Sequence, residues 1–388
     1  TKWVGFIDQP QRVPEFMRRA FTYLRSGRPG PVLIQVPRNL GEYDEAAFPY
    51  RTVKGWKPGA DPDDVKAAVK ALLAAKNPMI FAGQGIFYAD ACEELKRFAE
   101  LAQVPVLTTL LGKSTFPENH PLSLGVRGLP AAHFLENSDL LFGVGTSLSP
   151  GRFSHAIPDP ASKTIIQLTV DDKDINKSYR VDHAIIGDAK IALKQLCDEI
   201  SRQTGGGVKP KPALLEEIKG LKAKLWEKYA DAATSKDKPI NPYRIAWDLM
   251  HTIDRNNSFV TADSGNTRDQ FTMLYESLIP HGFMGWGNVS TLGFGLAGAI
   301  GAKLAYPERQ VVNVAGDASV GYQLGNYEAQ VRNNIGITTI HINNGGFAGY
   351  GPGFWGGGHD PYTCEVSPSS VCKTAQAVAA LGEHAERV

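Results

Sequence analysis

Short apolar runs alternate with longer amphipathic stretches along most of this chain, a rhythm that predicts strands separated by helices. Residues 12–24 place Val13, Phe16, Met17, Ala20, Phe21 and Leu24 on one helical face. The turn SGRPG (26–30) then leads into PVLIQVP (31–37), which reads as a short buried strand. A first α/β block follows. A helix over 61–76, acidic at its start as the helix dipole favours, precedes a strand at 78–83. A helix over 90–103 precedes a strand at 105–109, and further strands fall at 139–145, 164–170 and 183–188. TGGGVKPKP (204–212) is a linker, flexible and then stiff, that runs into a charged helix over 214–230.

The second block opens with a helix at 241–253, where Asn241 is a good N-cap and Pro242 takes the first helical position. Strands are expected at 258–263, 311–317 and 337–344, with a Gly/Ala-rich helix at 291–305 and another helix at 324–334. The pattern is α/β, with doubly wound parallel sheets. The leading helix and strand are too little to bury a core, and 377–388 reads as a helix and turn without a following strand. The chain is therefore expected to open near the end of a domain whose earlier part is absent, and to stop short at its other end. The expected divisions are 1–45, 58–203, a linker and helix at 204–238, and 239–388.

Composition narrows the partners. The 388 residues are 43% hydrophobic and carry a formal net charge of +1, with no run of like charges, which argues against nucleic acid. No apolar run reaches the roughly 18 residues needed to span a bilayer, so no membrane role is expected. Cys92, Cys197, Cys364 and Cys372 lack metal-like spacing and read as reduced thiols of a cytoplasmic protein.

The candidate chemistry lies in 316–346. Gly316-Asp317 ends one apolar run, and Asn343-Asn344 ends the next, 27 residues from Asp317 to Asn344. A strand–helix–strand unit with a right-handed crossover would make those two strands neighbours, bringing Asp317 and Asn344 to adjacent tips. Open α/β sheets bind ligands there. A carboxylate and an amide oxygen a few Å apart make half of an octahedral site for Mg²⁺. Gly316, Ala318 and Ser319 would let main-chain N–H groups approach a phosphate, and Gly345 and Gly346 would aim a carbonyl at the same ion.

Gly-Asp-Ala followed by Asn-Asn at this spacing resembles the motif of thiamine diphosphate (ThDP) enzymes such as acetohydroxyacid synthase, which makes acetolactate. SGRPGPVLIQVPRNL (26–40) resembles the end of that family's pyrimidine-binding domain; NPMIFAGQGI (77–86) and TTLLGKSTFPENHPLSLGVRG (108–128) resemble its middle domain; TLGFGLAGAIGA (291–302) resembles the helix before its Gly-Asp motif. The resemblance implies that 239–388 bind the cofactor's pyrophosphate, with Mg²⁺ held by the Asp317 and Asn344 side chains and the Gly346 carbonyl. It implies that Gly316, Ala318 and Ser319 line the diphosphate, and that Gly265, Asn266 and Thr267 touch it from the other side. Leu292 would wedge the two cofactor rings into a V, which makes removal of the reactive proton intramolecular.

The implied activity is decarboxylation of a 2-keto acid with carboligation to a second carbonyl, by a homodimer or homotetramer, in which case the chain is a transferase or lyase. The family's catalytic Glu lies in a part of the first domain that this sequence lacks, and Glu15 is not a substitute. The chain is thus expected to be inactive alone. FAD, a ligand of some members, is left open: they carry an Arg near Ser147, whereas here Arg152 lies five residues later, and Thr169 stands where they carry an acid. The Gly- and aromatic-rich stretch after the Asn pair offers Tyr350, Phe354, Trp355 and His359 as substrate-loop candidates. Two alternatives stand beside the first reading: a ThDP lyase or decarboxylase of 2-hydroxyacyl-CoA or oxalyl-CoA, and a truncated non-catalytic subunit.

Overall fold

The computed structural model describes residues 1–151, 154–287, 289–343, 374–382 and 384–386. Strands β1 (Trp3–Phe6) and β2 (Val32–Gln35) pair in parallel, with helix α1 (Val13–Arg25) as their crossover. Trp3 of β1 lies against Phe16 of α1 at 5.9 Å between ring centroids, and Gly5 leaves the room for it. β2 is not the buried strand its composition suggests. Only one face of this small sheet is covered, so Val4, Phe6 and Leu33 stay more than half or about half exposed.

The next elements are α2 (Pro62–Ala74), β3 (Pro78–Ala82), α3 (Gly85–Ala89), α4 (Cys92–Ala102), β4 (Val106–Thr108), β5 (Ser123–Gly125), α5 (Leu129–Asn137), β6 (Leu140–Val144), β7 (Thr164–Thr169), β8 (His183–Ile186) and α6 (Ala189–Thr204). The strands form one parallel sheet in the order β5-β4-β3-β6-β7-β8. Winding runs outward both ways from the β3/β6 pair, which puts the topological switch point between them. Helices cover both faces, and β3 and β6 are buried along their whole length, as continuous apolar runs require. On one face Phe98 of α4 meets Phe142 of β6 edge to face at 5.6 Å; on the other, Leu107, Leu141 and Ile165 form a second cluster with Ile218.

Helix α7 (Pro212–Ala233) carries Ile218 and leads to α8 (Pro242–Thr252), whose N-cap Asn241 accepts the Tyr243 N–H at 3.1 Å. Then follow β9 (Ser258–Ala262), α9 (Asn266–Leu274), β10 (Phe283–Gly285), α10 (Phe294–Ala305), β11 (Gln310–Gly316), α11 (Asp317–Tyr322), α12 (Leu324–Arg332), β12 (Thr338–Ile342) and α13 (Thr374–Ala380). The second sheet has the order β10-β9-β11-β12, all parallel. Val260, Val312 and Val314 face α8 and α9, while Phe259 and Val311 face Ala299 and Ala302 of α10.

The two sheets meet across a buried ion pair. Lys113 and Glu118, in the loop after β4, are 2% and 5% exposed. Lys113 Nζ donates to Glu118 Oε1 and to the Tyr275 carbonyl, each at 2.6 Å, and Glu118 Oε2 accepts the Ser277 N–H at 2.6 Å. Lys222 of α7 adds a bond to the Glu118 carbonyl at 2.8 Å. Burial pushes the Lys113 ammonium down and the Glu118 carboxyl up from their ordinary values, and the charge of each partner opposes that shift.

Candidate functional site

β11 and β12 are adjacent and parallel, with Gly316 opposite Ile342. The crossover between them is α11 and α12. Asp317 opens α11, immediately beyond the tip of β11, and its side chain is 3% exposed. Of the expected cation ligands, Asp317 is placed as the sequence suggested. Asn344 and Gly346 lie outside the described residues, as do Tyr350, Phe354, Trp355, His359 and Arg152.

A second group faces the Asp317 carboxylate. His341, on β12 and level with Ala315, sets its Nε2 2.8 Å from Asp317 Oδ1. From the sequence it reads as a core or sheet-face residue, with no functional role. The register gives the missing signal: a residue one place inside the tip of β12 lies beside the residue that follows the tip of β11. Partners of this kind fix the orientation of a metal-binding carboxylate, and losing one costs 10–100-fold in metal affinity. We expect His341→Ala to weaken Mg²⁺ or Mn²⁺ binding about 10-fold; titration of Mn²⁺ followed by electron paramagnetic resonance checks this.

β9 supplies the opposite wall. After Asp263 and Ser264 the chain turns at Gly265, whose φ of +99° suits glycine, and enters α9 at Asn266. The Thr267 hydroxyl is buried and donates to the Asp263 carbonyl at 2.8 Å, while its main-chain N–H falls in the first turn of α9, where N–H groups lack intrahelical partners. Further along α9, Asp269 accepts from Arg127 of the middle sheet at 3.2 Å and from Arg268 Nε at 2.9 Å, which ties the start of this helix to the loop after β5.

Leu292 does not sit on a helix. α10 starts at Phe294, and Leu292 occupies the turn before it, half-buried, because Gly293 takes a φ of +88°. The Ser319 hydroxyl points inward and donates to Asp263 Oδ1 at 2.7 Å, a contact separate from the main-chain N–H expected to meet the diphosphate. Ala318 and Gly316 are half-buried at the start of α11, and among the described residues nothing lies within 4 Å of the place where a Cβ on Gly316 or Gly265 would sit. His281 occupies a turn with φ +51°, against Phe87 at 4.5 Å.

No group of three or more His, Cys, Asp or Glu able to hold a metal occurs among the described residues. The Asp317 carboxylate is a hard oxygen donor of the kind that suits Mg²⁺ shared with a phosphate. The open main chain at Gly265 and Gly316 suits the approach of phosphate oxygens.

A separate crevice of about 270 Å³ opens at the switch point of the first sheet, between the ends of β3 and β6. Gly83, Gly85 and Gly145 lie there, and their smallness is used internally: a Cβ on Gly83 would come 2.5 Å from the Gly145 carbonyl, and one on Gly85 2.7 Å from the Gly145 Cα. Thr169 at the rim accepts the Asp171 N–H at 3.1 Å. Cys92 and Cys197 are free thiols that burial pushes up to about 12 and about 11, unreactive at neutral pH. No helix among the described residues is long and apolar enough to cross a membrane.

Comparison with known proteins agrees with this arrangement. Residues 65–196 match the thiamine pyrophosphate enzyme central domain, and residues 263–387 match the thiamine pyrophosphate enzyme C-terminal TPP binding domain. The chain is 34% identical over 359 residues to a probable acetolactate synthase large subunit of Methanocaldococcus jannaschii, covering 88% of this chain and 59% of that one. It is 26% identical over 351 residues to the acetolactate synthase isozyme 3 large subunit of Escherichia coli K12, 87% and 60% of the two chains. It is 29% identical over 353 residues to a glyoxylate carboligase of Escherichia coli O157:H7, 89% and 58%. The chain therefore spans 58–60% of the length of these curated relatives.

Proposed function

Because this chain belongs to the thiamine pyrophosphate enzymes, we propose that it takes part in ThDP- and Mg²⁺-dependent decarboxylation of a 2-keto acid, with transfer of the remaining fragment to a second carbonyl. The observation that carries the reading is the pairing of β11 with β12 and β9, which sets a buried carboxylate at the tip of β11 on a sheet whose neighbouring strand β9 runs into the Gly265 turn. Relatives named for acetolactate synthesis and glyoxylate carboligation favour carboligation of small keto acids. When bound, the cofactor would supply an electron sink for the negative charge that develops on the former carbonyl carbon of the keto acid as CO₂ leaves.

The chain's own residues supply the rest. Asp317, with Asn344 and the Gly346 carbonyl, would hold the cation. Main-chain N–H groups of Ala318 and Ser319 on one side, and of Gly265, Asn266 and Thr267 on the other, would orient the diphosphate. Leu292, at the turn before α10, would support the rings. Residues 239–388 would form the pyrophosphate-binding unit, 58–203 the middle unit and 1–45 the end of a pyrimidine-binding unit, in a homodimer or homotetramer. Calorimetric titration with ThDP and Mg²⁺, paired with CO₂ release from pyruvate and glyoxylate, tests the reading. No cofactor binding, or binding with no keto acid consumed once a complete pyrimidine-binding domain is supplied, counts against it.

Leu292→Ala separates ring support from cofactor retention. We expect kcat to fall at least about 10-fold while ThDP affinity changes less than about threefold, since an interaction felt in the reacting geometry lowers kcat selectively. Steady-state rates at saturating ThDP check this.

A second reading, a ThDP lyase or decarboxylase of 2-hydroxyacyl- or oxalyl-CoA, is favoured by the switch-point crevice, a place where nucleotides bind in such sheets. FAD is the other nucleotide for that crevice. Thr169, already engaged with the Asp171 main chain, offers a ribose hydroxyl less than an acid would. Mass spectrometry of ligands retained by the native protein distinguishes a CoA derivative, a flavin and neither.

A further inference from the structure

Among the buried carboxylates that the expected cofactor contacts do not use, Asp263 lies beside the candidate site. Asp263 follows β9 directly and is 0% exposed, yet no lysine or arginine is bonded to its side chain among the described residues. Its charge is met by dipoles instead. Oδ1 accepts the Ser264 N–H at 2.7 Å, the Gly293 N–H at 3.1 Å and the Ser319 hydroxyl at 2.7 Å; Oδ2 accepts the Gly295 N–H at 2.7 Å. A buried carboxylate with its lone pairs so engaged is held firmly, and it holds its donors in return.

The donors are not neighbours in the chain. Ser264 starts the turn to Gly265, Gly293 and Gly295 follow Leu292 and flank Phe294 at the start of α10, and Ser319 lies in the first turn of α11, two residues beyond Asp317. The fold makes room for this convergence: a Cβ on Gly295 would lie 2.8 Å from Asp263 Oδ2 and 2.6 Å from Asn313 Oδ1. The Asn313 amide oxygen is fixed in turn by the Thr261 hydroxyl at 3.0 Å. A glycine is needed at 295 so that the start of α10 can reach the carboxylate.

We propose that Asp263 is a positioning residue: its carboxylate sets the relative placement of the 264–267 turn, the Leu292 turn and the start of α11, so that one buried charge registers three cofactor-contacting segments. The assignment of those segments to the cofactor rests on the ThDP reading; their mutual registration does not. The chemistry favours Asp over Asn. In an Asp263→Asn variant the amide oxygen serves the three donors now on Oδ1, and the amide NH₂ is left facing the Gly295 N–H, donor against donor. The damage is therefore directed to the start of α10.

Hydrogen exchange read by mass spectrometry tests this on the whole 388-residue chain, beside calorimetry with ThDP and Mg²⁺. For Asp263→Asn we expect exchange in peptides covering 291–298 to rise at least about 10-fold, and ThDP affinity to fall about 10–100-fold, as with other supporting partners. Exchange in 140–144 of the first sheet should not change. Ser319→Ala removes one donor and leaves the carboxylate, so it should raise exchange only around 317–322 and cost ThDP affinity less. Unchanged exchange at 291–298 in Asp263→Asn overturns the proposal. Should that variant not fold, Ser319→Ala with unchanged exchange at 317–322 overturns it equally. If exchange responds as stated but the unaltered protein takes up no ThDP, the positioning role stands and the ThDP reading fails.

Discussion

Lys113→Met should lower the stability of this protein by about 3–5 kcal/mol, the cost of stripping one partner from a buried ion pair. Lys113 is held by both oxygens of Glu118 and by the Tyr275 carbonyl, so its loss leaves a carboxylate with the Ser277 N–H as its main remaining donor. The pH dependence identifies the cause. Burial already raises Glu118, and removing the ammonium raises it further. A carboxyl raised in the folded state contributes stability below its unfolded value, near 4.5, and loses that contribution as pH climbs through the folded value. The deficit of Lys113→Met against the unaltered protein should thus be largest at neutral pH and shrink toward pH 4.5. Urea unfolding at several pH values measures it. Lys113→Met combined with Glu118→Leu removes both charges and should recover most of the loss, since an apolar pair in such a place is often neutral or better. A flat pH profile, or a double variant as weak as the single one, contradicts the assignment.

The second large effect is on the cofactor. Asp317→Ala should abolish Mg²⁺-dependent ThDP binding, a fall of at least about 100-fold given that supporting partners alone cost 10–100-fold. The change sits at a strand tip and removes no core side chain, so the fold should persist. The strand pairing that brings Gly316 level with Ile342 does not depend on the carboxylate. Calorimetry for affinity and circular dichroism for fold, run on the same preparation, separate the two. Asp317→Ala with undiminished ThDP affinity removes the cation from Asp317. His341→Ala gives the graded comparison: it removes the imidazole that braces the carboxylate and leaves the carboxylate itself.

What could be read from the sequence follows from where side chains are forced to pattern. β3, β6 and β9 are buried from end to end because helices cover both their faces, and the unbroken apolar runs of β3 and β6 stand out at once. β5, β10 and β1 do not. β5 and β10 are three residues long, too short to show a period, and β1 has an exposed face and a central glycine. Leu292 was expected on a helix because its neighbours favour one, but Gly293 adopts a left-handed backbone that ends the pattern. The place of Asp317 at a strand tip was legible from its spacing. Asp263 and His341 were not, because their partners are 24 to 56 positions away and the contacts exist only once strands β9, β11 and β12 lie side by side.

The touching glycines at the first sheet's switch point bear on how such a protein could change its ligand. Where Gly83, Gly85 and Gly145 meet, main chain rests on main chain, so that part of the crevice cannot be retuned by exchanging one side chain for another. Variation falls instead to the side chains of the lining, such as Thr169 and Lys57. Descendants of one ancestral sheet could thus come to accept a flavin, a coenzyme A derivative or nothing, while the strands beneath stayed the same.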